Sequence, residues 1–386
     1  MRNGNASFAE LEFLESIYRI RDACEAQTNR KLSFISHWDP DSFVAARIIR
    51  LLDVNRDALS PRLQYVYPRQ LDGVEACVSA LGFDPNEKSA LITPCSTSSM
   101  NCIISFLKIA GITRVFFVQP NYFSSYEAGR LSGINAIKLY VPAGQKLSDV
   151  CSVVTKSPDT TGLWLTHPLY CTSMTLTTED ERWLVELRDN GVHVIADECL
   201  AIPGSELGRR IGSHNRFLGY YSPHKSFALN DFKFGAIVFE KSLRVVFYRL
   251  ADLHYGGLPP SCVSALEHYL SDNFMSVSLC AAHCRSEARD KLLALIEQFP
   301  ECTLYDARRD GVFQVVSMKQ LPCSLNADLG LIEALALETG LIVMTGIWGG
   351  FDGSFGFCFR VNLYKMNEES YGRLEHALNW LSARQK

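Results

Sequence analysis

Charge of one sign is what this chain has least of. Its 386 residues carry 38 Lys and Arg against 42 Asp and Glu, a net charge of −4. No field exists to bind a nucleic-acid backbone or an anionic membrane, so neither is expected as a partner. Apolar runs of about 18 residues, the length of a membrane span, are missing too. Met1 to Glu10 is mostly polar and ends on an acid, so no signal peptide is expected. The 13 cysteines are many, but no two form a CxxC pair, which argues against a structural zinc site or any other metal centre. Without a secretory route they are expected as reduced thiols packed as small hydrophobes, in the cytoplasm. The chain also lacks internal repeats, a GxxxxGK phosphate loop, a GxSxG elbow, an HExxH helix and a strand-borne GxGxxG. NTPase, α/β-hydrolase, zincin and dinucleotide chemistries are thereby disfavoured.

What is present is an ordinary globular composition, 47% hydrophobic and 21% charged, which excludes disorder and coiled coil. The length suggests two or three domains. Seven short apolar runs read as strands buried on both faces: residues 90–93, 114–119, 136–141, 162–166, 192–197, 217–221 and 234–239. Helical patterns lie between them, at 98–110, 123–132 and 178–190. The last opens on Thr178 with Glu181 three residues on, the spacing of a capping box. This alternation predicts an α/β fold: a large domain with a mostly parallel seven-stranded sheet flanked by helices. The pattern changes near residue 255. A long helix over 261–298, strands at 311–318 and 357–363, and helices at 327–338 and 368–383 suggest a smaller α+β domain. The ends of the chain, including helices over 8–26 and 42–52, would build it together. The expected division is 1–55, an N-terminal segment of the small domain; 56–255, the large domain; and 256–386, the C-terminal small domain.

Five local features carry chemistry. Thr93-Pro94-Cys95-Ser96-Thr97-Ser98-Ser99 joins a strand to a helix, where small hydroxyl residues either cap the helix or cradle a phosphate. Val194-Ile195-Ala196-Asp197-Glu198 runs an apolar strand into two acids; Asp197 either solvates the strand end or faces a ligand there. Lys225, in Ser222-Pro223-His224-Lys225-Ser226, is either a solvated ammonium or a nucleophilic amine held in a crevice. Arg360 sits inside the apolar strand Phe357-Cys358-Phe359-Arg360-Val361 and needs a carboxylate, internal or from a ligand. Ser36-His37-Trp38-Asp39 places an imidazole, an indole and an acid together; His37 is either a satisfied loop histidine or an acid–base group.

The hydroxyl-rich turn at 93–99, the aromatic after Pro120, Asp197, Lys225 and then Arg360, in that order along the chain, resemble the fold type I pyridoxal-phosphate enzymes, and in particular the class I/II aminotransferases of the aspartate aminotransferase superfamily. The resemblance spans roughly residues 60–365. It implies pyridoxal 5'-phosphate as cofactor, with Lys225 as the Schiff-base lysine that also shuttles the α-proton. Asp197 would face the pyridine nitrogen and keep the ring protonated. Tyr122, in Pro120-Asn121-Tyr122, would stack on the ring. Ser96, Thr97, Ser222 and Lys233 would hold the phosphate, and Arg360 would clamp the substrate carboxylate, with Trp38 beside it. A homodimer is implied, with active sites at the interface and Tyr65 or Tyr67 reaching the neighbouring phosphate.

Three positions depart from the family pattern. The usual Asn-Pro-Thr-Gly loop is replaced by His167-Pro168-Leu169-Tyr170-Cys171-Thr172-Ser173, with Tyr170 near the place of the Asn. Leu200 stands where a Tyr is common, and Lys233 where an Arg is usual, without the bidentate fork. The expected activity is transamination of an α-amino acid. The alternative is a lyase or cyclase that eliminates or closes a ring, like the capreomycidine-synthase type acting on a hydroxylated arginine, with His37 as an extra acid. A scaffold that has lost its chemistry and only binds is disfavoured by Lys225 and Asp197 standing together.

Overall fold

Buried on both faces, the apolar runs can be satisfied only inside a sheet, and in the computed structural model they form one. The structure describes residues 9–52, 66–142, 145–150, 153–154, 158–168, 176–212, 216–227, 229–230, 232–305 and 311–385. The chain begins with α1 (Ala9–Thr28), β1 (Ser33–Phe34) and α2 (Ser42–Ile49). There follow α3 (Val74–Ala80), β2 (Lys88–Thr93), α4 (Ser96–Ile109), β3 (Arg114–Gln119), α5 (Phe123–Leu131), β4 (Asn135–Tyr140), α6 (Leu147–Val150) and β5 (Thr161–Thr166). Next come α7 (Thr178–Asp189), β6 (His193–Glu198), α8 (Leu207–Ile211), β7 (Phe217–Tyr221), β8 (Gly235–Glu240) and α9 (Arg244–His254). The last part holds α10 (Pro260–Tyr269), α11 (Asn273–Ile296), β9 (Thr303–Tyr305), β10 (Phe313–Met318), α12 (Leu329–Thr339), β11 (Leu341–Ile342), α13 (Gly346–Gly349), β12 (Phe357–Asn362) and α14 (Glu368–Ser382).

The large sheet has seven strands in the order β2-β8-β7-β6-β5-β3-β4. Only β8 runs antiparallel to its neighbours. Strands β2, β5 and β7 are buried at every residue, so helices cover both faces. Alternate side chains divide between two cores. Ile92, Leu165, Val194 and Ala196 pack on one face, and Leu91, Trp164, Ile195 and Tyr220 on the other, beneath α4 and α9. Two reversals of direction, β7 to β8 and β8 to β2, leave β2 pointing the same way as β7. The carboxyl ends of β2, β5, β6 and β7 therefore share one edge.

The smaller layer is an antiparallel sheet in the order β12-β10-β9, with Val316, Phe359, Leu374 and Leu378 in its core. The N-terminal segment joins it: β1 pairs in parallel with β11, and the Asn362 N–H donates to the Ile35 carbonyl at 2.8 Å. Among the described residues no helix is long and apolar enough to cross a membrane.

Two expectations change. The capping box lies one residue earlier than expected, at Thr177 and Asp180. Asp180 also accepts from the Ser148 N–H at 3.2 Å, a second bond that favours this register. The expected long helix over 261–298 is two helices, α10 and α11. At the break the Ser271 hydroxyl donates to the His268 carbonyl at 2.7 Å, a local bond that competes with helix continuation.

Candidate active site

The shared edge of β2, β5, β6 and β7 places polar side chains where a ligand can meet them. Asp197 and Glu198 are neighbours on β6 and so point to opposite faces. Glu198 spends its carboxylate on backbone: it accepts from the Leu207 N–H and, at 3.0 Å, the Gly208 N–H, which fixes the start of α8. Asp197 faces the other way. It is 6% exposed, accepts from the Cys199 N–H at 3.1 Å and is hydrogen-bonded by the Tyr220 hydroxyl. Burial raises its pKa above the ordinary carboxylate value, outweighing the Tyr220 bond, the charge of Lys225 and the Cys199 N–H.

Lys225 lies on the short turn Pro223–Phe227 after β7, and its Nζ donates to Ser96 Oγ at 2.9 Å. Ser96 opens α4, and its turn favours negative charge. Burial raises the Cys95 thiol just before it, but the Ser98 hydroxyl, the N–H groups of Ser98 and Thr97 and the charge of Lys233 outweigh burial and lower its pKa. Lys233 donates its ammonium hydrogen to the Asn230 carbonyl. Two residues on, Gly235 lies so close that a Cβ there would stand 2.3 Å from Thr93 Oγ1, so β8 begins tight against the β2–α4 turn.

Of the residues picked out from the sequence, Trp38, Ser96, Thr97, Tyr122, Asp197, Lys225 and Lys233 line one cavity of about 250 Å³. Leu200 is also on its wall. Four do not line it. Ser222 is buried beside Lys225 but donates its hydroxyl to the Phe234 carbonyl at 2.9 Å. His37 turns away; its Nε2 is 3.1 Å from the Tyr18 hydroxyl and its Nδ1 is 3.0 Å from the Asp39 carboxylate. Burial lowers the His37 pKa, against the pull of Asp39. Tyr67 stands apart, with the Arg69 guanidinium 5.2 Å over its ring. Arg360 is 2% exposed behind the Trp38 indole; its Nε donates to the Ser36 carbonyl at 2.8 Å. Tyr65 and Tyr170 lie outside the described residues.

The structure adds residues that the sequence reading passed over. Thr166, at the end of β5, pairs in register with Asp197 and lines the cavity. Its Oγ1 is buried with no hydrogen-bond partner among the described residues. Tyr220, on β7 opposite Asp197, lines it as well. A polar residue ending an apolar strand is a signal for both, but only the register shows that they meet.

These features fit pyridoxal 5'-phosphate. An anion-favouring turn, a buried carboxylate, an amine and an orphaned hydroxyl share one cavity wall.

No family model matches the sequence, and no curated protein is similar to it at a significant level. Solved structures are similar in fold. A double mutant of Thermus thermophilus aspartate aminotransferase matches over 96% of this chain and 96% of that one, at 16% identity and a TM-score of 0.72. The N-succinyldiaminopimelate aminotransferase of Mycobacterium tuberculosis covers 98% and 100%, at 17% identity and a TM-score of 0.74. LysN, an α-aminoadipate aminotransferase of Thermus thermophilus solved with N-(5'-phosphopyridoxyl)-L-leucine, covers 96% and 98%, at 17% identity and a TM-score of 0.70. Likeness at these identities is likeness of fold: this chain has the aminotransferase architecture nearly end to end.

Proposed function

We propose that the chain is a pyridoxal 5'-phosphate-dependent aminotransferase acting on an α-amino acid. The observation that carries this reading is the meeting of Asp197 and Lys225, from separate strand ends, on one cavity at the start of α4. The first turn of α4, with Ser96 and Thr97, would hold the phosphate together with Lys233. Asp197 would face the ring nitrogen, Thr166 the ring hydroxyl, and Tyr122 would cover the ring. When bound, the cofactor supplies an electron sink for the pair left behind as the substrate α-C–H bond breaks.

The chain's own groups do the rest. Lys225 Nζ anchors the cofactor and carries the α-proton, and the 2.9 Å bond to Ser96 Oγ holds that nitrogen in place. Asp197 supplies negative charge in a water-poor setting, where it acts more strongly than in water. The rings of Trp38 and Tyr122 exclude solvent from the reacting carbon. Arg360 supplies the charge that recognises the substrate carboxylate. His37 bonds to Tyr18 and Asp39 and is not itself on the cavity wall, which supports transamination over elimination or cyclisation.

The active unit in this reading is a homodimer. Phe43 and Ile49 on α2 and Met275 and Leu279 on α11 are exposed apolar side chains, 73%, 56%, 63% and 65% accessible, on helices tied by the Asn273 amide bond to the Leu51 carbonyl. Exposed apolar side chains of this kind suit burial against a second copy. The test is a single-turnover mixture of cofactor-loaded protein and an amino-acid panel without any oxo acid. One equivalent of 2-oxo acid per chain supports transamination. Repeated turnover without an acceptor overturns it in favour of a lyase or cyclase.

A further inference from the structure

We propose that Trp38 is a cover on Arg360: its indole shuts the guanidinium off from the cavity and gives way when a substrate carboxylate arrives. This rests on the reading of Arg360 as the group that recognises the substrate carboxylate. Arg360 Cζ lies 4.7 Å from the centre of the Trp38 ring and 4.6 Å from that of Phe313, so aromatic rings pack on the guanidinium. Its Nε is engaged by the Ser36 carbonyl and one terminal nitrogen by Met344 Sδ at 3.3 Å. Trp38 is on the cavity wall and Arg360 is not.

The same indole also meets the amine. Lys225 Nζ stands 5.5 Å from its centre. In an α-amino acid the amino and carboxylate groups share one carbon. A substrate that brings its amine to Lys225 and its carboxylate to Arg360 must therefore enter space that the indole now fills. The ring can leave while the backbone stays. The Trp38 carbonyl is held by Asn230 Nδ2 at 3.1 Å and Asn362 Nδ2 at 3.3 Å, so the backbone is anchored and the proposed motion is that of the side chain.

The exchange favours a carboxylate. A guanidinium on an indole face is a modest attraction, whereas a charge-assisted pair with a carboxylate is stronger and geometrically specific. A neutral group offers no such return and leaves the indole in place. The cover thus lowers the affinity of a carboxylate by the free energy of the indole contact, while a neutral ligand, which does not displace the ring, is unaffected.

Calorimetric titration with propanoate and with its neutral match propanamide tests this. Inorganic phosphate in the buffer keeps the turn at the start of α4 filled. Trp38→Ala is expected to bind propanoate about two- to thirty-fold more tightly than wild type, the range of one indole–cation contact. Trp38→Phe should fall between them, and propanamide should gain nothing in either variant. Arg360→Lys, introduced alone or with Trp38→Ala, should weaken propanoate and abolish the gain. Equal or weaker propanoate binding in Trp38→Ala, or an equal gain for propanamide, overturns the covering role alone, provided Arg360→Lys still weakens propanoate. If Arg360→Lys leaves propanoate affinity unchanged in both backgrounds, the carboxylate reading of Arg360 falls and takes this proposal with it.

Discussion

Replacing Asp197 by Asn should make the cofactor-free protein more stable and the enzyme much slower. Asp197 is buried, and burial pushes its carboxyl up against the opposing pull of Tyr220, Lys225 and the Cys199 N–H. A carboxyl raised on folding holds its proton more tightly in the folded chain than in the unfolded one. Its contribution to stability is therefore fully present below the unfolded value of about 3.9 and is lost as pH rises through the higher folded value. At pH 7.5, above the unfolded value, the buried carboxyl is a net cost that Asn removes at nearly constant volume. The melting temperature of the cofactor-free variant should exceed that of wild type at pH 7.5, and the gap should close toward pH 3. Activity moves the other way. An opposed charge is worth about 1–3 pKa units to its partner, so losing it should slow single-turnover oxo-acid release about 10- to 1000-fold. Scanning calorimetry from pH 3 to 8 and stopped-flow turnover measure the two effects. A variant that melts below wild type at pH 7.5, or that keeps the wild-type rate, would refute the assignment of Asp197.

Glu198 is the contrasting case, a carboxylate used for structure. Glu198→Ala leaves the Leu207 and Gly208 N–H groups without their acceptor and should cost about 2–4 kcal/mol in urea unfolding, with Glu198→Gln costing less; a loss under about 0.5 kcal/mol would show that water replaces the carboxylate. His224 and His268 are buried 3.0 Å apart, nitrogen to nitrogen, and burial, aided by His268, pushes His224 down to about 3. Stability from His224 is present above the unfolded value of about 6.5 and lost as pH falls toward 3. His224→Gln should flatten that acid limb of the stability profile, and an unchanged slope would mean that other groups set it. Light scattering should find a dimer, with Phe43→Glu together with Leu279→Glu shifting it to monomer; a fully active monomer in the wild type would end the dimer reading.

Much of this architecture was legible because a strand buried on both faces needs a continuous apolar run. Two strands, at 114–119 and 217–221, fall where the runs predict, and the others shift at their ends by one or two residues. Thr303–Tyr305 escaped notice because three residues carry no period. Helix Arg244–His254 buries one face through Phe247, Leu250 and Ala251, with apolar residues on its other sides blurring the period. At the site, Asp197 and Lys225 were readable because each follows an apolar strand. The direction of a loop side chain is not written in spacing. His37 and Trp38 are adjacent, yet the indole lines the cavity while the imidazole packs 5.3 Å from the Phe34 ring. Thr166 was silent for another reason: its place depends on pairing with Asp197, a contact between residues far apart in the chain.

Lys225 carries the central claim, and covalent capture tests it most directly. The purified chain is incubated with pyridoxal 5'-phosphate, reduced with borohydride, digested and analysed by peptide mass. One cofactor per chain, fixed on Lys225 and absent from Lys225→Ala, is the predicted result. An adduct on another lysine, such as Lys233, or no adduct at all, would contradict the account.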